Sequence, residues 1–256
     1  MSDEDNPGRG RFYVEALPCD DGPFQLPSRE AAHAAASRRL AVGYSLTLFD
    51  GSGWELIARI DSASRSRLIV VPVSRRMAGP ALAVPVTCAT SLPKGSREDF
   101  LVSRCAELAV TRIVPVDFAR SVVKASIHWA KRRERYKRLA VEAAKQSGQA
   151  TITDFSDPVD LPRFLASLPR GLLLIGDPAA DASVLDVLNA RWPFQAVTFL
   201  VGPEGGVTED ESAAARRAGF APVRLAPTTL RIETACIAFA AVASAFLLSR
   251  PLRDRP

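Results

Sequence analysis

The residues best placed to do chemistry lie in the last quarter of the chain. Gly202-Pro203-Glu204-Gly205-Gly206 sets three glycines and a proline within five residues. A plain β–α turn needs less, and glycines let backbone N–H and C=O groups come close to a ligand. A second loop, Leu225-Ala-Pro-Thr-Thr-Leu-Arg-Ile-Glu-Thr-Ala235, carries Arg231 just before Glu233 and Thr234. Arg231 can meet a negative group, or pair with Glu233 or Glu204. A phosphate cradle is disfavoured. No lysine follows Gly205-Gly206, Glu204 would repel a phosphate, and neither a Gly-x-Gly-x-x-Gly fingerprint nor a Gly-x-Ser-x-Gly elbow is present. The first loop suits a cofactor held by backbone groups and apolar surface, and Glu204 favours a cationic one.

The elements that position these loops follow from the pattern around them. Val197 to Val201 is a short β-branched and aromatic run, as expected of a buried parallel strand. Thr208 and Glu211 have capping-box spacing, so a helix starts there. Glu233 and Thr234 open another helix, running to Leu248. From Ala81 onward strands and helices alternate: strands near 81–87, 111–116, 150–154, 172–175 and 223–225, with helices near 97–108, 127–146, 161–167 and 182–189. This predicts an α/β domain with a parallel sheet covered on both faces. Before it come short strands at 12–17, 44–49, 54–60 and 67–73, an alanine-rich helix over 28–40, and a hairpin turn at Asp50-Gly51-Ser52-Gly53. That arrangement suggests a small β-barrel, with 74–80 as the linker.

Composition narrows the function classes. The 256 residues suffice for one large or two modest domains. Cys19, Cys88, Cys105 and Cys236 are widely separated, and His33 and His128 stand far apart. That excludes the usual zinc spacings, predicts no metal, and fits free thiols in a reducing, cytoplasmic compartment. The apolar run 235–248 is too short to cross a bilayer, so no membrane partner is expected. The charge is uneven. Residues 1–77 are neutral, whereas the stretch Lys124 to Lys145 has eight basic residues against Glu134 and Glu142. Such a helix is either a solvated basic face or a set of phosphate contacts, which would position RNA without reading its sequence.

Val201-Gly-Pro-Glu-Gly-Gly206 followed by Leu230-Arg-x-Glu-Thr-Ala235 resembles the RsmE family of bacterial ribosomal RNA uridine-N3 methyltransferases. Leu48-Phe-Asp-Gly51, Leu92-Pro-Lys-Gly95, Arg120-Ser-Val-Val-Lys124 and Glu142-Ala-Ala-Lys-Gln-Ser-Gly148 are similar to the family as well. The resemblance implies a SPOUT methyltransferase domain with a deep C-terminal trefoil knot over 80–249, a rare exception to the rule against knots. It also implies a PUA-like RNA-binding β-barrel domain over 10–77. S-adenosylmethionine is then the cofactor, 16S rRNA of the small ribosomal subunit the substrate, and a homodimer the assembly. By the same resemblance the cofactor residues are Leu174, Ile175, Val201, Gly202, Pro203, Glu204, Gly205, Gly206, Leu225, Leu230, Glu233 and Thr234. A cation near the uracil would stabilise the anion that develops there, and Arg231 or Arg120 is expected in that catalytic role; Arg38, Arg39, Lys94, Lys124, Arg132 and Arg133 are the expected RNA contacts. The chain departs from the pattern at Ala226 (glycine in the family), Thr228 (arginine), Thr229 (isoleucine) and Ile232 (threonine). Ala106 and Ala109 replace a threonine and a glycine. Two competing readings keep the fold: an RNA-binding or ribosome-assembly module with weakened catalysis, and a methyltransferase of another RNA position, such as a ribose 2′-hydroxyl.

Overall fold

Alternating apolar residues and a glycine turn build the first sheet. The computed structural model describes residues 10–27, 41–64 and 67–250; the helix expected over 28–40, with Arg38 and Arg39, lies outside the described residues. Strands β1 (Arg11–Tyr13), β2 (Phe24–Gln25), β3 (Ser45–Phe49), β4 (Trp54–Ala63) and β5 (Leu68–Met77) pair in the order β1-β3-β4-β5-β2. β1 runs parallel to β3 and the other pairs are antiparallel. Phe12, Leu46, Leu48, Leu56, Ile60 and Val70 form one core cluster on this sheet. Between β3 and β4, Gly51 and Gly53 have φ of 88° and 93°, and a Cβ on Gly51 would lie 2.8 Å from Ile152 Cδ1. Glycine is required there on both counts. Residues 144–152 group with this first unit.

Arg75 and Arg76 are not linker residues. They extend β5, opposite Leu56 and Glu55, because Arg76 reaches across the ladder to the buried Glu55 carboxylate, with Nε to Oε2 at 2.6 Å. A cross-strand ion pair of this kind stabilises strand pairing.

The second unit alternates strand and helix. In order it contains β6 (Val86–Thr90), α1 (Ser96–Glu107), β7 (Arg112–Asp117), α2 (Trp129–Ser147, whose last residues, from 144, group with the first unit), β8 (Asp154–Phe155) and β9 (Val159–Asp160). Then come α3 (Leu161–Ala166), β10 (Leu172–Gly176), α4 (Val184–Arg191), β11 (Val197–Val201), α5 (Glu209–Arg217), β12 (Ala221–Val223) and α6 (Ile232–Leu248). The strands are parallel throughout, in the order β12-β10-β11-β6-β7-β8, with β9 beside β7. All five residues of β11 are buried. Because side chains alternate along a strand, Phe199 stacks on Phe239 of α6 at 4.0 Å, while Leu200 joins Phe164 and Ala215 on the opposite face.

Three expected strands are displaced. β6 starts at Val86 rather than Ala81; Pro85, just before it, carries no N–H and interrupts the ladder on that side. β12 ends at Val223; Arg224 makes an isolated bridge to Ser183 and Leu225 turns away. The strand expected over 150–154 is only Asp154–Phe155, because Thr151 bridges to Gly51 and Ser52 instead.

Helix α1 ends in a Schellman motif: Val110 N–H donates to Cys105 C=O at 3.0 Å and Ala109 N–H to Ala106 C=O at 3.1 Å. The left-handed residue is Ala109, with φ of 62°, whereas the matching motif after α5 uses Gly219, with φ of 99°. An L-residue pays roughly 1–2 kcal/mol in that region, and glycine returns part of the gain through unfolded-chain entropy. Ala109→Gly is therefore expected to raise the urea-unfolding free energy by about 0.5–1 kcal/mol. A lower midpoint at unchanged slope would contradict this.

Candidate cofactor site

Parallel strands β10, β11 and β12 all end at one edge of the sheet, where open α/β sheets bind ligands. β11 runs into Gly202–Val207. Gly206, with φ of 77°, closes this turn by donating its N–H to Pro203 C=O at 2.9 Å. A Cβ on Gly202 would collide with Val207 Cγ2, and one on Gly205 would stand 3.0 Å from Arg120 Cβ. α5 then starts on a reciprocal cap. Thr208 Oγ1 accepts from Glu211 N–H at 3.2 Å, and Glu211 Oε2 accepts from Thr208 N–H at 2.9 Å. The loop after β12 leads to Arg231, the N-cap of α6, whose side chain makes no capping hydrogen bond.

Together these loops enclose a cavity of about 630 Å³, within the range of roughly 300–1,000 Å³ usual for small-molecule sites. Ile175, Val201, Leu225, Leu230, Ile232 and Ala235 give it apolar walls; Asp177, Glu204, Glu209, Arg216 and Arg231 supply charge. Of the expected cofactor residues, Ile175, Val201, Gly202, Pro203, Glu204, Gly206, Leu225 and Leu230 line it. Leu174 is fully buried in the core, Glu233 is buried and Thr234 exposed; these three and Gly205 fall outside the lining. Asp177, Pro178, Thr208 and Arg216, not among the expected site residues, also line the cavity. Asp177 was findable, since it follows the carboxyl end of β10. Its Oδ2 pairs with Arg216 at 3.2 Å, a long-range contact that local spacing does not reveal.

Arg231 lines the cavity, is exposed, and among the described residues has no ion pair. The partner of both loop carboxylates is instead Arg97 of α1, 3.1 Å from Glu204 Oε1 and 3.8 Å from Glu233 Oε2. Arg120 reaches the glycine loop from the β7–α2 segment, its Nη1 donating to Gly205 C=O at 3.2 Å. Two neighbours fasten that segment. Ala119 N–H donates to Glu211 Oε1 at 2.7 Å, and Ser121 Oγ accepts from Phe118 N–H at 2.9 Å while lying 3.1 Å from Ser91 Oγ.

The basic helix is less free than its sequence suggests. Arg132 and Arg135 both approach the buried Glu98 carboxylate of α1, at 3.4 and 3.3 Å, and Arg133 lies 3.6 Å from Asp157. Burial pushes the Glu98 carboxyl up from its ordinary value, against the pull of the two arginines. Lys124 is exposed, with Nζ 3.5 Å from Phe118 C=O, and Lys94, Lys131, Lys137 and Arg138 are exposed too. Among the described residues no His/Cys/Asp/Glu cluster could hold a metal. Cys88, Cys105 and Cys236 are buried, and burial first, then its two thiol neighbours, pushes the Cys88 thiol well above its usual range.

Comparison with known proteins places this geometry. The model of an RNA methyltransferase domain family matches residues 80–244. A Mycobacterium bovis protein, ribosomal RNA small subunit methyltransferase E, is 32% identical over 234 residues, covering 88% of this chain and 87% of that one. The chain belongs to the ribosomal RNA small subunit methyltransferase E family. The Bacillus subtilis member is 25% identical over 235 residues, with 88% and 92% coverage. In three dimensions, the Neisseria gonorrhoeae family member bound to S-adenosyl methionine matches with a TM-score of 0.82 at 30% identity, covering 92% of this chain and 97% of that one. A Legionella pneumophila methyltransferase, in complex with the same cofactor, gives 0.81 at 28% identity, with 92% and 96% coverage. The fold is thus the family's α/β methyltransferase fold with its parallel sheet.

Proposed function

We propose that the chain binds S-adenosylmethionine in the cavity between its two loops and methylates N3 of a specific uridine in 16S rRNA. The observation that carries this reading is the cavity itself. Two loops singled out by residue type, together with the carboxyl end of β10, converge on one space of cofactor size in a member of this family. Its apolar walls suit a flat heterocycle. The first N–H groups of α6, which lack a side-chain cap, remain free to bond polar parts of a ligand. When bound, the cofactor supplies a methyl group on a sulfonium, already a strong electrophile. The chain's own residues bind, orient and exclude water.

Uridine N3 carries a proton and is hidden in base pairing, so the base is taken up unpaired. As N3 loses that proton, negative charge spreads onto the uracil oxygens. Arg231, on the cavity wall, stabilises it, and Arg120 braces the Gly205 turn beside it. Lys94, Lys124 and the exposed Lys131, Lys137 and Arg138 hold the RNA backbone, with Arg133 at their margin; Arg132 serves chiefly to anchor α2 through Glu98.

The finer architecture belongs to the same proposal. Residues 80–249 form a knotted SPOUT domain. In support, α6 packs back on α1, α4, β6 and β11, while β11 sits between β10 and the much earlier β6. Residues 10–77 form the PUA-like RNA-binding domain, supported by the five-stranded sheet with its parallel β1–β3 pair. The exposed Phe100 and Leu248 suit the buried face of a homodimer, which light scattering tests. No helix among the described residues is long and apolar enough to cross a membrane, in keeping with action on ribosomal subunits in the cytoplasm.

Thr228 and Thr229, two of the departures from the family pattern, line the cavity, so cofactor affinity is the property to measure. Calorimetric titration with S-adenosylmethionine is expected to give saturable heat at one site per chain. Absence of heat with both the cofactor and its demethylated product would favour an RNA-binding module that kept the fold without the activity.

A further inference from the structure

We propose that Arg97 is a positioning residue that fixes the two cavity loops against each other, so that cofactor affinity depends on it although it does not line the cavity. The inference rests on the cofactor reading above. Arg97 is the second residue of α1, after the Gly95 N-cap. A cation there opposes the helix dipole, which favours acids in the first turn. Its guanidinium is used elsewhere: one nitrogen lies 3.1 Å from Glu204 on the glycine loop, the other 3.8 Å from Glu233 in the first turn of α6. The fork geometry of arginine lets one side chain serve two carboxylates, which a lysine ammonium does less well.

Two further observations give the bridge its weight. Glu233 is 6% exposed, and its Oε2 has no hydrogen-bond partner; without Arg97 it would be a buried charge with nothing opposing it. Moreover, among the described residues no hydrogen bond and no other ion pair joins the glycine loop, 202–207, to the segment 226–234. β10 pairs with both β11 and β12 and so fixes where the two loops begin, but beyond those strand ends the described residues show no polar bridge between the loops except the one through Arg97. An ion pair at each loop fixes their spacing there.

The test is a double-mutant cycle read by S-adenosylmethionine calorimetry, with urea unfolding of each variant alongside. The wild type is titrated first; if it does not bind, the cofactor reading fails and not the role of Arg97. Arg97→Gln and Glu204→Gln are each expected to weaken binding about tenfold, with Arg97→Lys between Arg97→Gln and the wild type. The pair Arg97→Gln/Glu204→Gln is expected to be no weaker than the worse single variant, because each change opens the same bridge. A purely structural arginine would shift the urea midpoint and leave the affinity of the folded fraction alone. Wild-type affinity in Arg97→Gln, or losses that multiply in the double variant, would overturn the proposal. Should Arg97→Gln not fold, the cycle is run with Arg97→Lys, and multiplying losses there overturn it equally.

Discussion

Replacing Arg231 by alanine is expected to slow rRNA methylation about a hundredfold while S-adenosylmethionine binding stays near the wild-type value. Arg231 is an exposed residue on the cavity wall, at the N-cap of α6, with no ion pair among the described residues. Its charge is available to a substrate rather than spent within the protein. Removing a preorganised group that meets charge developing in the transition state costs roughly 3 kcal/mol, or about a hundredfold in rate. Arg231→Lys should recover part of the loss, since it keeps the charge but not the fork. Arg120→Ala should behave differently. That side chain bonds to Gly205 C=O, so its loss loosens the glycine loop and lowers cofactor affinity along with the rate. An Arg231→Ala enzyme that methylates at the wild-type rate removes Arg231 from the catalytic role.

The second large effect concerns stability. Glu55→Ala is expected to lower the unfolding free energy by about 3 kcal/mol, the low end of the cost of breaking a buried ion pair. Glu55 is 1% exposed and accepts from Arg11 Nη1 at 2.7 Å and Arg76 Nε at 2.6 Å. Arg11 is partly buried and would be left facing no charge; Arg76 is mostly exposed and would turn to water, which keeps the estimate low. Glu55→Gln retains an acceptor and should lose less. Burial alone would raise the Glu55 carboxyl, but the hydrogen bonds and charges of Arg11 and Arg76 outweigh it and hold the carboxyl below its ordinary value. With the folded value depressed, this stabilisation is present above the unfolded glutamate range and is lost as pH falls through the folded value. The gap between wild type and Glu55→Gln in urea should therefore narrow in acid; a gap that is constant or widens there contradicts the assignment.

What the sequence disclosed was mostly local. Strand β11 was legible to the residue, because five consecutive β-branched and apolar positions between turn signals leave little choice. The start of α5 was legible for a similar reason, through Thr208 and Glu211. Both cavity loops declared themselves by glycine content or by a cation at a helix start. The ion pairs did not. Arg97 is separated from Glu204 and Glu233 by more than half of the second unit, and nothing near it in sequence distinguishes it from a solvated helix residue. Long-range pairing also explains why Arg132, Arg133 and Arg135, which cannot all be matched within their own helix, find acids on α1 and at Asp157. Arg76 looked like a linker residue for the same reason, its partner Glu55 being visible only once β4 and β5 are side by side. Ala109 shows the opposite case, a position where local rules call for glycine and the fold imposes the left-handed conformation on alanine.

On the proposed function the two loops hold S-adenosylmethionine and the methyl group goes to uridine N3. The most direct measurement is nucleoside mass spectrometry of 16S rRNA from small subunits lacking the modification, after incubation with the protein and methyl-labelled S-adenosylmethionine. Label in 3-methyluridine, dependent on the protein and reduced about a hundredfold by Arg231→Ala, is the predicted result. Label in a 2′-O-methyl nucleoside, or none in RNA despite cofactor binding, would contradict it.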